Sequence, residues 1–124
     1  MSEHKVILSL AANRFQVKNL CRARRCLAEV LSNLHFTGEL WTEPIGNSHR
    51  RDAYLNQLAC GTTTMTEEQL CERLKDLERS FGRNEAKRRL GIVPIDLDIL
   101  LYDNQRRHER DWERPYVKTL MAEL

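Results

Sequence analysis

The segment Ile95-Asp96-Leu97-Asp98-Ile99 alternates apolar and acidic residues one by one, then runs on as Leu100-Leu101-Tyr102. A helix would scatter these side chains around its axis. A strand sends Ile95, Leu97 and Ile99 to one face and Asp96 and Asp98 to the other. Residues 95–102 are therefore read as a strand in a sheet with at least one covered face. The rest of the chain has to supply both its neighbours and its cover.

Lys-Val-Ile-Leu-Ser-Leu at residues 5–10 reads as a second buried strand. Asn13, with Gln16 three residues later, resembles a capping pair, so a helix is expected from about Arg14. Val17, Leu20, Cys21, Leu27, Ala28 and Leu31 then recur at nearly helical spacing, and Ser32-Asn33 is a plausible stop. Strands are expected over residues 35–43, with Gly38 at a bulge or close approach, and over residues 53–64. Thr66-Glu67-Glu68-Gln69 is a capping-box pattern whose acids suit the positive end of a helix. Leu70, Leu74, Leu77 and Phe81 continue it as an apolar stripe that ends at Gly82. Residues 83–94 form a basic connection, part of it helical between 85 and 90. Residues 105–124 read as a charged tail, with Trp112 and Pro115-Tyr116-Val117 docking back.

The order is β-α-β-β-α-β. It predicts an α+β fold of the ferredoxin-like βαββαβ kind: a four-stranded antiparallel sheet with two helices on one face. The other face is left for a ligand, a partner or the tail. The 124 residues suit one domain, 1–124.

Charge and composition narrow the function. Lys and Arg number 20 against 18 Asp and Glu, a formal net charge of +2. That balance disfavours a general nucleic-acid binder, which carries a strong basic excess. No apolar run approaches a membrane span, and Val6-Ile7-Leu8 is too short for a secretory core. The four cysteines form no CxxC pair and have no His at ligand spacing. A cytoplasmic protein with reduced thiols is expected.

Three groups of residues can carry chemistry. Asp96 and Asp98 lie about 7 Å apart at Cα, two residues at roughly 3.3 Å each. Ionised, they repel and call for water or cations, and their hard oxygens suit Mg²⁺, especially with phosphates completing the shell. An ordinary solvated acidic strand face has the same spacing. Tyr54 and Asn56 share a strand face, where a heterocycle could stack on one and be read by the other. Arg83, Lys87, Arg88 and Arg89 form a basic run able to neutralise a polyphosphate, as well as an ordinary solvated loop.

Taken with Asn13, Glu78, Gly82-Arg83 and Trp41-Thr42-Glu43-Pro44-Ile45-Gly46, these features resemble the 6-hydroxymethyl-7,8-dihydropterin pyrophosphokinases of folate biosynthesis. The resemblance covers roughly residues 5–104, and Ile95-Asp96-Leu97-Asp98-Ile99-Leu100-Leu101 is its most specific part. It implies transfer of pyrophosphate from ATP to the pterin hydroxymethyl group, releasing AMP. It makes Asp96 and Asp98 ligands of two Mg²⁺ ions and Arg83 a catalytic cation. Thr42, Ile45, Tyr54 and Asn56 would line the pterin site. Glu78, Arg83 and Ile99 would contact the nucleotide. The sequence departs from the pattern with Ala11-Ala12 before Asn13, Glu85 and Val93 where arginines are expected, and Leu90 for an aromatic. Lys87, Arg88 or Arg89 would then supply the missing charge, and Tyr116 or Trp112 would replace a pterin-stacking aromatic sought beyond the last strand. The alternatives are a pterin- or nucleotide-binding homologue without turnover, and a ferredoxin-like interaction module.

Overall fold

In the computed structural model, residues 2–44 and 52–124 are described. The strands are β1 (His4–Ala12), β2 (Ser32–Phe36), β3 (Leu40–Thr42), β4 (Tyr54–Thr63), β5 (Asp96–Tyr102) and β6 (Gln105–Arg106). The helices are α1 (Gln16–Leu27), α2 (Glu67–Ser80), α3 (Glu85–Arg89), α4 (Glu109–Trp112) and α5 (Pro115–Met121). All pairings are antiparallel, in the order β2-β4-β1-β5-β6, with β3 also on β4.

The sheet thus has six strands among the described residues rather than four. Two local events account for the difference. The strand expected over residues 35–43 is interrupted at Thr37, which turns inward and is buried. Its carbonyl accepts from Gln57 Nε2 at 2.6 Å, and its Oγ1 accepts from the Leu58 N–H at 3.0 Å. The Thr37 N–H still donates to the Leu58 carbonyl at 2.9 Å, while these side-chain bonds replace the regular pairing around it, between β2 and β3. The other event is a turn at Asp103, with φ 56°, that folds Gln105 and Arg106 back onto Tyr102 and Leu101.

Alternation along the strands builds two apolar layers. Val6, Leu8 and Leu10 of β1 and Leu97 and Ile99 of β5 pack with Leu20, Ala23 and Leu27 of α1 and with Leu70 and Leu74 of α2. On the opposite face Ile7, Leu58 and Leu100 pack with Val117 and Leu120 of α5. The charged tail is therefore in good part a covering element. Pro115, whose ring fits the first helical position, starts its last helix.

Helix α2 begins as expected. Thr66 Oγ1 accepts from the Gln69 N–H at 3.1 Å, and Gln69 Oε1 accepts from the Thr66 N–H at 2.9 Å. Thr66→Ala should cost about 1 kcal/mol, read as a lower midpoint in denaturant at unchanged slope. Helix α1 corrects two expectations. Asn13 does not cap it; Phe15, at φ 45°, precedes the first turn without a side-chain cap. Ala28 follows the helix and is exposed, Val17 is 61% exposed, and Ala23 takes a place in the buried stripe. Among the described residues no helix is long and apolar enough to cross a membrane.

Candidate active site

Asp96 and Asp98 emerge from β5 on the face opposite Leu97 and Ile99, as the alternation requires. Leu100, next on that face, is sealed beneath α5. The two carboxylates stand where the sheet leaves the cover of α5. They are walls of two cavities at once.

The larger cavity, about 770 Å³, lies between α2 and β5. Leu74, Leu97 and Ile99 give it an apolar wall, and Glu78, Arg83, Arg107 and His108 give it polar ones. The smaller, about 160 Å³, is bounded by Thr42, Tyr54 and Asn56 on β3 and β4 and by Asp111, Arg114 and Tyr116 from the C-terminal segment. Ser9 and Ala11 of β1 contribute to it as well.

Arg83 is aimed at the acids by the end of α2. Gly82 adopts φ 88°, a left-handed turn that favours glycine, and the chain reverses there. Arg83 Nη1 then donates to Glu78 Oε2 and Asp96 Oδ1, each at 2.9 Å, and to the Ile95 carbonyl at 3.3 Å. Glu78 Oε2 also accepts from the Leu97 N–H at 2.8 Å. Burial raises the Glu78 pKa, with Asp96 adding to the rise, while the Leu97 N–H and Arg83 work against it.

Asp98 is the most perturbed acid. Burial first, then Asp96, Glu78 and Asp111, push its carboxyl up to about 7. Asp98, His108 and Asp111 each bring a possible ligand atom within 4.8 Å of the others. Arg114 Nε holds Asp111 Oδ1 at 2.8 Å. Tyr54 is raised by burial and by Asp96, and Tyr116 is pushed up to about 12, chiefly by burial. Both phenols stay neutral at ordinary pH.

The expected residues fall into three sets. Asp96, Asp98, Arg83, Glu78 and Ile99 meet at the larger cavity, and Thr42, Tyr54 and Asn56 meet at the smaller. Asn56 is buried and fixes that wall, its Nδ2 donating to Thr42 Oγ1 at 2.9 Å and to the Leu40 carbonyl at 3.0 Å. The basic run past Arg83 is turned elsewhere. Lys87 Nζ donates to the Gly82 carbonyl at 2.7 Å, and the exposed Arg88 and Arg89 pair with Glu85. Ile45 lies outside the described residues.

Asn13 is buried and ties the first loop to the connection before β5. Its Nδ2 donates to the Gly91 carbonyl at 2.8 Å, and its Oδ1 accepts from the Val93 N–H at 2.6 Å. Of the two aromatics weighed for the C-terminal segment, Tyr116 lines the smaller cavity. Trp112 donates to the Leu100 and Arg107 carbonyls and packs at the α5 layer. Sequence reasoning missed His108, Asp111 and Arg114. Their only signal was Pro115 followed by Val117 and Leu120 at helical spacing, which seats a short helix and carries its upstream residues to the acids.

Two kinds of comparison place this arrangement. Residues 7–124 match the family described as 7,8-dihydro-6-hydroxymethylpterin-pyrophosphokinase. A folate synthesis bifunctional protein of Arabidopsis thaliana is 37% identical over 93 residues, 67% of this chain and 19% of the relative. A mitochondrial one from the same plant is 30% identical over 99% of this chain and 24% of its own length. One from Chlamydia caviae is 33% identical over 57% of this chain and 18% of its own. The chain thus spans between about a sixth and a quarter of the length of these relatives.

Proposed function

This chain belongs to the 7,8-dihydro-6-hydroxymethylpterin-pyrophosphokinase family, and we propose that it transfers pyrophosphate from ATP to 6-hydroxymethyl-7,8-dihydropterin in folate biosynthesis. The observation that carries this reading is the shared wall. Asp96 and Asp98 border both cavities, so a nucleotide in the larger and a pterin in the smaller meet at the same two carboxylates.

The reaction asks for little covalent work by the protein. The pterin hydroxymethyl oxygen attacks the β-phosphorus of ATP. The bond from that phosphorus to the oxygen bridging to the α-phosphorus breaks, AMP leaves, and the hydroxyl proton is lost. Positioning and charge neutralisation supply most of the acceleration. Thr42, Tyr54, Asn56 and Tyr116 form the pterin side; for Ile45, outside the described residues, a pterin-side role rests on the resemblance alone. Glu78, Arg83 and Ile99 form the nucleotide side. Arg83 bonds Asp96, and Arg114 lines the smaller cavity with both acids.

The acids fit a divalent cation. Burial first, and then crowding by Asp96, Glu78 and Asp111, hold the Asp98 proton on until about pH 7. Hard carboxylate oxygens in this excess suit Mg²⁺. Asp96 and Asp98 would hold it, and it would supply positive charge along the polyphosphate. Strand order β5-β1-β4-β2 supports a ferredoxin-like body within the six-stranded sheet, and we read residues 1–124 as one such domain. Four free cysteines suit a reducing compartment, in keeping with a cytoplasmic site.

Pure protein with ATP and Mg²⁺ should consume ATP only when the dihydropterin is added, and Asp96→Ala should lose that dependence. ATP consumption indifferent to the pterin, or equal in the variant, would overturn the assignment.

A further inference from the structure

Arg107, in the wall of the larger cavity, is not used in the chemistry above. Arg107 follows β6 and reaches across to the first residue of α2. Its Nε donates to Glu67 Oε2 at 2.7 Å and its Nη2 to Glu67 Oε1 at 2.9 Å, a two-pronged pair between residues forty apart in sequence. Its Nη1 donates to the Arg106 carbonyl at 3.1 Å and to Gln105 Oε1 at 3.3 Å. All three guanidinium nitrogens are therefore engaged in the plane of the group. The backbone is held as well, since the Arg107 N–H donates to the Leu100 carbonyl and the Arg107 carbonyl accepts from Trp112 Nε1.

A guanidinium so committed is a poor phosphate hook, because a phosphate oxygen needs an in-plane N–H. What it still offers is its flat face. Arginine planes stack on heteroaromatic rings, and stacking does not consume the in-plane donors. The same cavity carries Leu74, Leu97 and Ile99 as an apolar wall, with Glu78 and Arg83 leading to Asp96. Phosphates drawn to the acid and cation end leave the base of a nucleotide to the part of the cavity that Arg107 borders.

We propose that Arg107, locked in plane by Glu67, is the stacking platform for the heteroaromatic base of the nucleoside triphosphate. This rests on the larger cavity being the nucleotide site and names the residue that holds the base there. Arg107 touches the substrate's base and has no part in moving phosphorus. Glu67 is a positioning residue that acts through it.

The test compares two probes on the same protein preparation by calorimetry in Mg²⁺: α,β-methylene ATP, which carries the base, and inorganic tripolyphosphate, which does not. Wild type should bind the nucleotide analogue more tightly than tripolyphosphate. Arg107→Ala should weaken the analogue about tenfold and leave tripolyphosphate unchanged. Arg107→Lys keeps the charge without the plane and should resemble Ala. Glu67→Gln should show a smaller loss in the same direction. The tripolyphosphate affinity reports in each case that the variant is folded. An undiminished preference for the analogue in Arg107→Ala, or full affinity in Arg107→Lys, would overturn the stacking role. Failure of wild type to bind either probe would instead overturn the nucleotide reading of the cavity, and the stacking role with it.

Discussion

Asp98→Asn should cut turnover sharply and at the same time make the protein more stable. The sign follows from the carboxyl's position at about 7. Unfolded, the same group loses its proton near the ordinary value of about 3.9. Below that pH both states are protonated and the folded state carries no penalty. As pH rises from there to 7, the unfolded chain ionises while the folded one resists, so stability is progressively lost. Above 7 the loss is complete. Asn cannot ionise, so the variant's advantage should be about a third of its full size at pH 5 and full at pH 8. With Asp98 partly exposed, that advantage is expected at about 2 kcal/mol, after discounting for solvent screening. Activity should fall by about 10²–10³, as when a preorganised charge-stabilising group is removed. Thermal unfolding at the two pH values, alongside turnover, checks both halves. A variant less stable at pH 8, or an advantage independent of pH, would contradict the electrostatic account.

Arg83→Met should give the same loss of turnover with the opposite effect on stability. Arg83 is the cation that Glu78 and Asp96 share, and Glu78 is largely buried. Removing it leaves two carboxylates facing each other, with Asp98 behind them. Breaking such a pair strands uncompensated charge, here at a cost of about 2 kcal/mol given the partial exposure of Arg83 and Asp96. Arg83→Lys should recover part of it, because one ammonium cannot span Glu78, Asp96 and the Ile95 carbonyl as the guanidinium does. Denaturant unfolding of Arg83→Met, Asp96→Asn and the double variant measures the coupling directly. The double variant should be more stable than the sum of the single effects predicts, and simple additivity would rule the pair out as a stabilising unit.

Much of this was readable from residue order because it is governed by short-range rules. Alternation placed Asp96 and Asp98 on one face, and the Thr66–Gln69 pattern located the start of α2. The β4 strand, Tyr54–Thr63, fell within one residue of the expected bounds. Local rules failed where a distant partner made a better offer. Asn13 and Gln16 have a capping spacing, yet the Asn13 side chain bonds residues 91 and 93, and Gln16 Nε2 reaches the Ala53 carbonyl at 3.0 Å. The strand over 35–43 broke because Gln57, on another strand, bonds the Thr37 carbonyl.

The C-terminal segment was the hardest part to read. Its surface is charged, and the apolar contact of α5 rests chiefly on Val117 and Leu120. Composition therefore reads it as a charged tail, with only Trp112 and Pro115-Tyr116-Val117 expected to dock back. That contact nonetheless delivers Asp111, Arg114 and Tyr116 to the smaller cavity. The basic run shows the reverse case. Three cations after Arg83 suggested a phosphate clamp, but Lys87, Arg88 and Arg89 find their partners within α3 and its approach, at Gly82 and Glu85.

In the proposed reaction Asp96 and Asp98 join a nucleotide to a pterin so that two phosphates move together. Chromatographic separation and radiochemical detection of the products from ATP carrying a radioactive β-phosphorus answer this. Wild type should place the label in a pterin diphosphate, with AMP formed in equal amount, and Asp96→Ala should leave the ATP intact. Formation of ADP with a pterin monophosphate, or a pterin product without the label, would contradict it.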